Sequence, residues 1–193
     1  MAKQLPNNSE LPPLSRRQIL IAMAVTAVVL LIIAKLWMRF YQIPMLPVSL
    51  AIDNLLLGAA LGVGISISSG IVYRFWTKYR QSADLYLELV LKPLTFLDLI
   101  WLGLLPGMSE ELLFRGVMLP AFGLNILGLS ISSVCFGVLH LSGKHQWPYV
   151  VWATIIGFVL GFSALATGNL LVPIVAHIIT NLISGSLWKL DNR

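Results

Sequence analysis

Apolar residues fill this chain in long blocks, separated by short breaks built from proline, glycine and charged side chains. The first block, 19–34, follows Arg16 and Arg17 and is closed by Lys35 and Arg39. The Ser15-Arg16-Arg17 start has a twin-arginine flavour that would suit an export signal, but no small-x-small cleavage site precedes Lys35 and more apolar blocks follow, so a retained first membrane helix is expected. The second block, 50–73, has Gly58 and Gly62 four residues apart and then Gly64, Ser66, Ser68 and Ser69, a face small enough for close helix approach. Residues 81–92 pattern as an amphipathic interfacial helix carrying Glu88, ended at Pro93.

Beyond Pro93 the blocks come close together, at 94–105, 112–124, 126–141, 149–167 and 170–188. Some fall short of the ~20 residues needed to cross a bilayer, which predicts short or oblique helices around a central cavity. Pro106-Gly107 predicts a break, with Ser109 as the N-cap of a new helix starting at Glu110. Turns are expected at 123–125, 142–144 and 168–169, while Pro173 falls early enough in the last block to be tolerated. The pattern as a whole predicts an all-α, polytopic transmembrane bundle of about six to eight helices enclosing a polar catalytic cavity. It divides into a flexible tail (1–14), N-terminal membrane helices with the amphipathic segment (15–92), a core (93–188) and a short tail (189–193), with no internal repeat and no second domain.

Composition sharpens this picture. Of 193 residues, 58% are hydrophobic and 11% charged, and the mean hydropathy is +0.86. A soluble domain is about half apolar and a quarter charged, so this is the composition of a multi-pass integral membrane protein in contact with lipid. The net charge of +5 does not point to nucleic acid, because the basic residues sit at the ends of apolar blocks rather than on an aromatic-interleaved face. They read as topology signals and contacts to anionic lipid. Lys3, Arg16, Arg17, Arg74, Lys78 and Arg80 outnumber Lys35 and Arg39, which places the N-terminus on the cytoplasmic side. The cell membrane is the expected host, an internal membrane such as a thylakoid the alternative. The lone Cys135 excludes an internal disulfide and a cysteine metal cage, and is expected to be a packed core thiol.

Against this apolar background six polar residues stand out in three blocks: Glu110, Glu111 and Arg115 in SEELLFRGVML, His140 at the end of FGVLH, and His177 with Asn181 in HIITN. Polar groups at membrane depth are costly and mark functional sites. Glu111 and Arg115 are four apart with the acid nearer the N-terminus, the favourable order for a helical ion pair. Glu110 points about 100° away from Glu111 and so has different neighbours. With both acids in a first helical turn, the macrodipole would favour their ionised forms. Phe136 and His140 share one helix face, as do His177 and Asn181. Glu and His together suit water activation, by a carboxylate or by a bound metal with His assisting, and with amide or hydroxyl donors holding a developing oxyanion. The HExxH zinc signature is absent, and His145 lies in a polar turn where a solvated histidine is expected.

At these residues the chain resembles a known family. EELLFR is similar to the EExxxR block, FGVLH to the FxxxH block and HIITN to the HxxxN-type block of the CPBP intramembrane proteases, which include Rce1-like CaaX prenyl endopeptidases and bacterial Abi proteins. The resemblance covers about residues 98–188 and identifies 93–188 as a CPBP/Abi-like protease core. It implies a membrane endopeptidase acting on a peptide or protein substrate, with a C-terminally prenylated one as a family class. Glu110 would be the general base on water and His140 its partner, with His177 and Asn181 stabilising the oxyanion and Glu111 and Arg115 organising the helix. A metal-dependent form is also implied, in which Glu110, His140 and His177 would hold an ion such as zinc. Three other readings of the same residues are a bacteriocin-immunity or peptide-binding membrane protein without turnover, a small transporter with a midplane proton pathway, and a scaffold for another membrane complex.

Overall fold

A computed structural model of the chain describes residues 14–192, so the tail expected over 1–14 lies, apart from Leu14, outside the described residues. Helix α1 (Arg16–Tyr41) starts at a capping box: the Ser15 hydroxyl accepts from the Gln18 backbone N–H, and the Gln18 side chain accepts from Ser15 N at 2.8 Å. It ends at Gln42, whose φ of 51° stops the helix in the left-handed region. Helices α2 (Ile52–Phe75) and α3 (Thr77–Leu91) follow. Next comes α4 (Leu99–Glu111), which passes directly into a π-helical stretch, Leu112–Met118, and then into the short α5 (Leu119–Phe122). Asn125 caps α6 (Ile126–Leu139) by accepting from Leu127 and Gly128, and a single 3-10 turn leads to α7 (Trp147–Thr167). Gly168, at φ 60°, turns the chain towards α8 (Leu171–Asp191). With α4, the π stretch and α5 taken as one continuous rod, the described residues form seven helices and no strand.

Four helices, α1, α2, α7 and α8, are long and apolar enough to cross a membrane. Their outer faces carry exposed apolar side chains, such as Val25, Val28 and Ile32 on α1 and Leu56 and Ile67 on α2. Apolar surface on that scale is stable only against lipid.

Helix α8 lies in the middle of the bundle, between α2 and α4. It fits there because both neighbours present glycine. A Cβ on Gly58 would meet the Val172 carbonyl at 2.8 Å, and one on Gly62 the Ala176 carbonyl at 2.7 Å. On the other side, a Cβ on Gly107 would meet Ile178 at 2.6 Å. The small-residue face read in α2 is therefore a packing face, and the helix it seats is the one that carries His177 and Asn181. The adjoining core is built from Phe114, Val117, Phe136, Leu160 and Ala176.

The structure corrects three expectations. Pro106 does not break the chain: α4 runs through it, the blocks expected at 94–105 and 112–124 are joined in one rod over 99–122, and Ser109 sits inside the helix with its hydroxyl donating to the Leu105 carbonyl at 2.7 Å. Glu110 and Glu111 are consequently at the C-terminal end of α4 rather than in a first turn, so the macrodipole argument for their ionisation does not hold. Proline costs little here because its missing N–H strands a single carbonyl, that of Leu102, and the Asn181 side-chain amide donates to that oxygen at 3.4 Å. Cys135, expected in the core, is exposed on α6. It lies about 100° around the helix from the buried Phe136.

Candidate active site

The π-helical stretch begins immediately after Glu111. Widening the helix to an i→i+5 ladder is a recurrent feature of functional sites. Here it accompanies the complete burial of Arg115, which like Glu111 is 0% exposed. Arg115 Nη1 donates to Glu111 Oε1 at 2.7 Å, Nη2 donates to the Gly157 carbonyl of α7 at 3.0 Å, and the guanidinium lies 4.3 Å from the Phe136 ring centroid. The ion pair expected from spacing is thus present. It also does more than stabilise its own helix, because the same Glu111 Oε1 accepts from His177 Nδ1 at 2.8 Å. The His177 ring is thereby fixed in orientation with Nε2 as its free nitrogen.

Glu110 points elsewhere, as its angular offset predicts. Its Oε2 is buried without a hydrogen-bond partner among the described residues, and its nearest basic atom is His140 Nε2 at 3.9 Å. A carbonyl oxygen can only accept, so the 2.9 Å contact between His140 Nδ1 and the Phe136 carbonyl assigns the ring proton to Nδ1 and leaves Nε2 as the acceptor facing Glu110. The Phe136 ring sits between the two histidines, with centroids 4.9 Å from His140 and 5.7 Å from His177, and so spaces them as well as covering Arg115.

Glu110, Phe136, His140, His177 and Asn181 line one cavity of about 790 Å³, while Glu111 and Arg115 stand behind its wall. The structure thus brings together residues from α4, α6 and α8, separated by up to 71 positions in sequence (110 to 181). His145 is exposed and is not among the lining residues. Sequence reasoning missed the opposite wall, formed by Tyr86 of α3 with Tyr149 and Trp152 of α7. The signal available was slight: several aromatics in two distant blocks, with no spacing to link them.

Among the described residues no three His, Cys, Asp or Glu side chains are grouped to hold an ion. In the set Glu110, His140 and His177, the Nδ1 of each histidine is engaged, by Phe136 or by Glu111, which leaves both Nε2 atoms free, as a metal-binding histidine would also have them.

Comparison with known proteins follows the same boundaries. Residues 92–183 match the family model described as type II CAAX prenyl endopeptidase Rce1-like. Uncharacterized protein YpbD of Bacillus subtilis (strain 168) is 38% identical over 85 residues, which cover 44% of this chain and 42% of that protein. Uncharacterized protein YyaK of the same organism is 38% identical over 82 residues, covering 38% of this chain and 27% of that protein. The chain therefore spans less than half the length of these curated relatives. No solved structure matches it. All three polar blocks fall inside the matched stretch, and the third lies on one of the four apolar helices long enough to span a bilayer. This chain is an integral membrane protein whose residues 92–183 match the family model of the Rce1-like type II CAAX prenyl endopeptidases.

Proposed function

We propose that the chain is an intramembrane endopeptidase that hydrolyses a peptide bond near the membrane with a water activated by Glu110 and His140. The observation that carries this reading is the approach of Glu110 Oε2, buried without a hydrogen-bond partner, to His140 Nε2 at 3.9 Å, with both residues lining the cavity. That gap is too wide for a direct hydrogen bond, and suits one water that contacts each atom at about 2.8 Å. Glu110 takes a proton from this water while His140 Nε2 orients it, and the oxygen attacks the peptide carbonyl carbon. The Asn181 amide donates to the oxygen on which negative charge develops, and His177, held by Glu111, joins it through Nε2 when its ring carries both protons. As the C–N bond breaks, the proton held by Glu110 passes to the departing amine. The residues need no metal for these steps.

The family description makes a C-terminally prenylated peptide the first substrate to try. The basic residues flanking α1 and α2 support a cytoplasmic N-terminus. The test is exposure of the purified full-length protein, in lipid nanodiscs, to a library of fluorescence-quenched peptides with and without a farnesylated C-terminus, with cut sites read by mass spectrometry. Cleavage at a defined bond is expected. Failure to cut any member, with the protein folded, contradicts the protease reading and favours a peptide-binding or immunity role.

A further inference from the structure

The wall facing Glu110 and His140 is aromatic. Tyr149 of α7 lies 6.0 Å from the His140 ring, and Tyr86 of α3 stacks on Tyr149 at 4.8 Å with the rings 27° from parallel. Tyr79 continues the stack beyond Tyr149 at 6.2 Å and 3°. Both Tyr86 and Tyr149 line the same cavity as Glu110, His140 and His177. Beside the reactive pair, His140 Nδ1 is engaged by Phe136, His177 Nδ1 by Glu111 and the Asn181 amide by Leu102. Among the described residues the hydroxyls of Tyr86 and Tyr149 have no hydrogen-bond partner, although tyrosines half-buried in this way normally find one. A phenol in this position is a donor, because burial, with the negative charge of Glu110 adding to it, pushes Tyr86 up to about 12.

We infer that Tyr86 and Tyr149 are substrate-binding residues, whose hydroxyls donate hydrogen bonds to backbone carbonyls of the peptide beside the scissile bond while their stacked rings form one wall of its channel. This rests on the protease reading for the identity of the ligand as a peptide. An extended peptide has unpaired carbonyls on both edges, which need donors once water is displaced. The stack explains why the two residues act together: each ring fixes the other, so the donors are ordered before the substrate arrives. Tyr86 also lies outside the stretch matched to the family model.

The experiment uses Tyr86→Phe and Tyr149→Phe in the full-length protein, since phenylalanine keeps the stack and removes only the hydroxyl. Two readouts are taken with one fluorescein-labelled, ten-residue peptide bearing a farnesylated C-terminus: its binding, by anisotropy, on the inactive Glu110→Gln background, and its turnover by the otherwise wild-type protein. Each substitution is expected to weaken binding about tenfold, and to raise KM about tenfold with kcat little changed, the signature of binding shared by ground and transition states. The thermal midpoint should stay within a degree or two of the parent. Unchanged binding and KM overturn the inference, and so does weaker binding accompanied by a matching loss of thermal stability, which would make the tyrosines structural. Tyrosine-dependent binding without any turnover by the parent would uphold the inference and contradict the protease reading. Turnover indifferent to both substitutions would do the reverse, and absence of both binding and turnover would overturn the two together.

Discussion

Arg115 and Glu111 are fully shielded from solvent, and Glu111 serves two partners through one oxygen. Removing one member of such a pair leaves a buried charge uncompensated, at a cost of about 3–5 kcal/mol. Arg115→Ala should therefore lower the thermal midpoint in detergent by many degrees, with loss of the contact to Phe136 adding to the effect. An unchanged midpoint would show that the pair does not hold the fold. The i, i+4 spacing made this pair legible in the sequence, as it did the shared face of Phe136 and His140. The approach of His177 to Glu111 was not legible, because no local rule relates positions 66 residues apart. The same limit hid Tyr86 and Tyr149: each reads as an ordinary amphipathic aromatic until α3 and α7 are seen to meet.

At the scale of elements, hydrophobic blocks located the four spanning helices well, since a long apolar run with charged ends has few other solutions in a bilayer. They failed at Pro106, where the rule that proline stops a helix was outweighed by a tertiary partner for the stranded Leu102 carbonyl. Pro106→Ala restores the N–H to that carbonyl and competes with Asn181 for it. The substitution should leave thermal stability equal or higher while lowering kcat several-fold, because Asn181 loses its anchor. Equal kcat in the two proteins would detach Asn181 from this role. The glycine seat for α8 makes a second prediction. Gly62→Ala places a methyl 2.7 Å from the Ala176 carbonyl, one position before His177, whereas a Cβ on Gly64 meets nothing within 4 Å. Overpacking of this kind costs about 1–3 kcal/mol. Gly62→Ala should lose stability and activity together while Gly64→Ala retains both, as thermal unfolding and initial rates would record.

Across the whole molecule, the N-terminal helices are tied to the matched domain at one charged point. Arg16 grips Asp98 with two bonds of 2.7 Å, and the Thr95 hydroxyl and backbone N–H donate to the same carboxylate at the head of α4. The Arg16 hydrogen bond, followed by those from Thr95, holds Asp98 well below the usual carboxylate range despite burial acting the other way. A carboxylate depressed in the folded state stabilises the fold at every pH above its unfolded value, about 4, and this contribution is lost as the pH falls through the lower folded value. The thermal midpoint of Asp98→Asn should thus lie below that of the parent at pH 7, and the two should converge as the pH falls below about 4. A gap that stays constant down to pH 3 would assign the difference to something other than this ion pair.

The central claim concerns two atoms, Glu110 Oε2 and His140 Nε2, and the water they would share. Initial rates of peptide cleavage by parent, Glu110→Gln and His140→Ala proteins, each with and without o-phenanthroline, test it most directly. The account predicts at least a hundredfold loss in each variant, unchanged thermal midpoints, and a parent rate indifferent to chelator. Parent-like cleavage by Glu110→Gln, or activity abolished by chelator and restored by zinc, would contradict it.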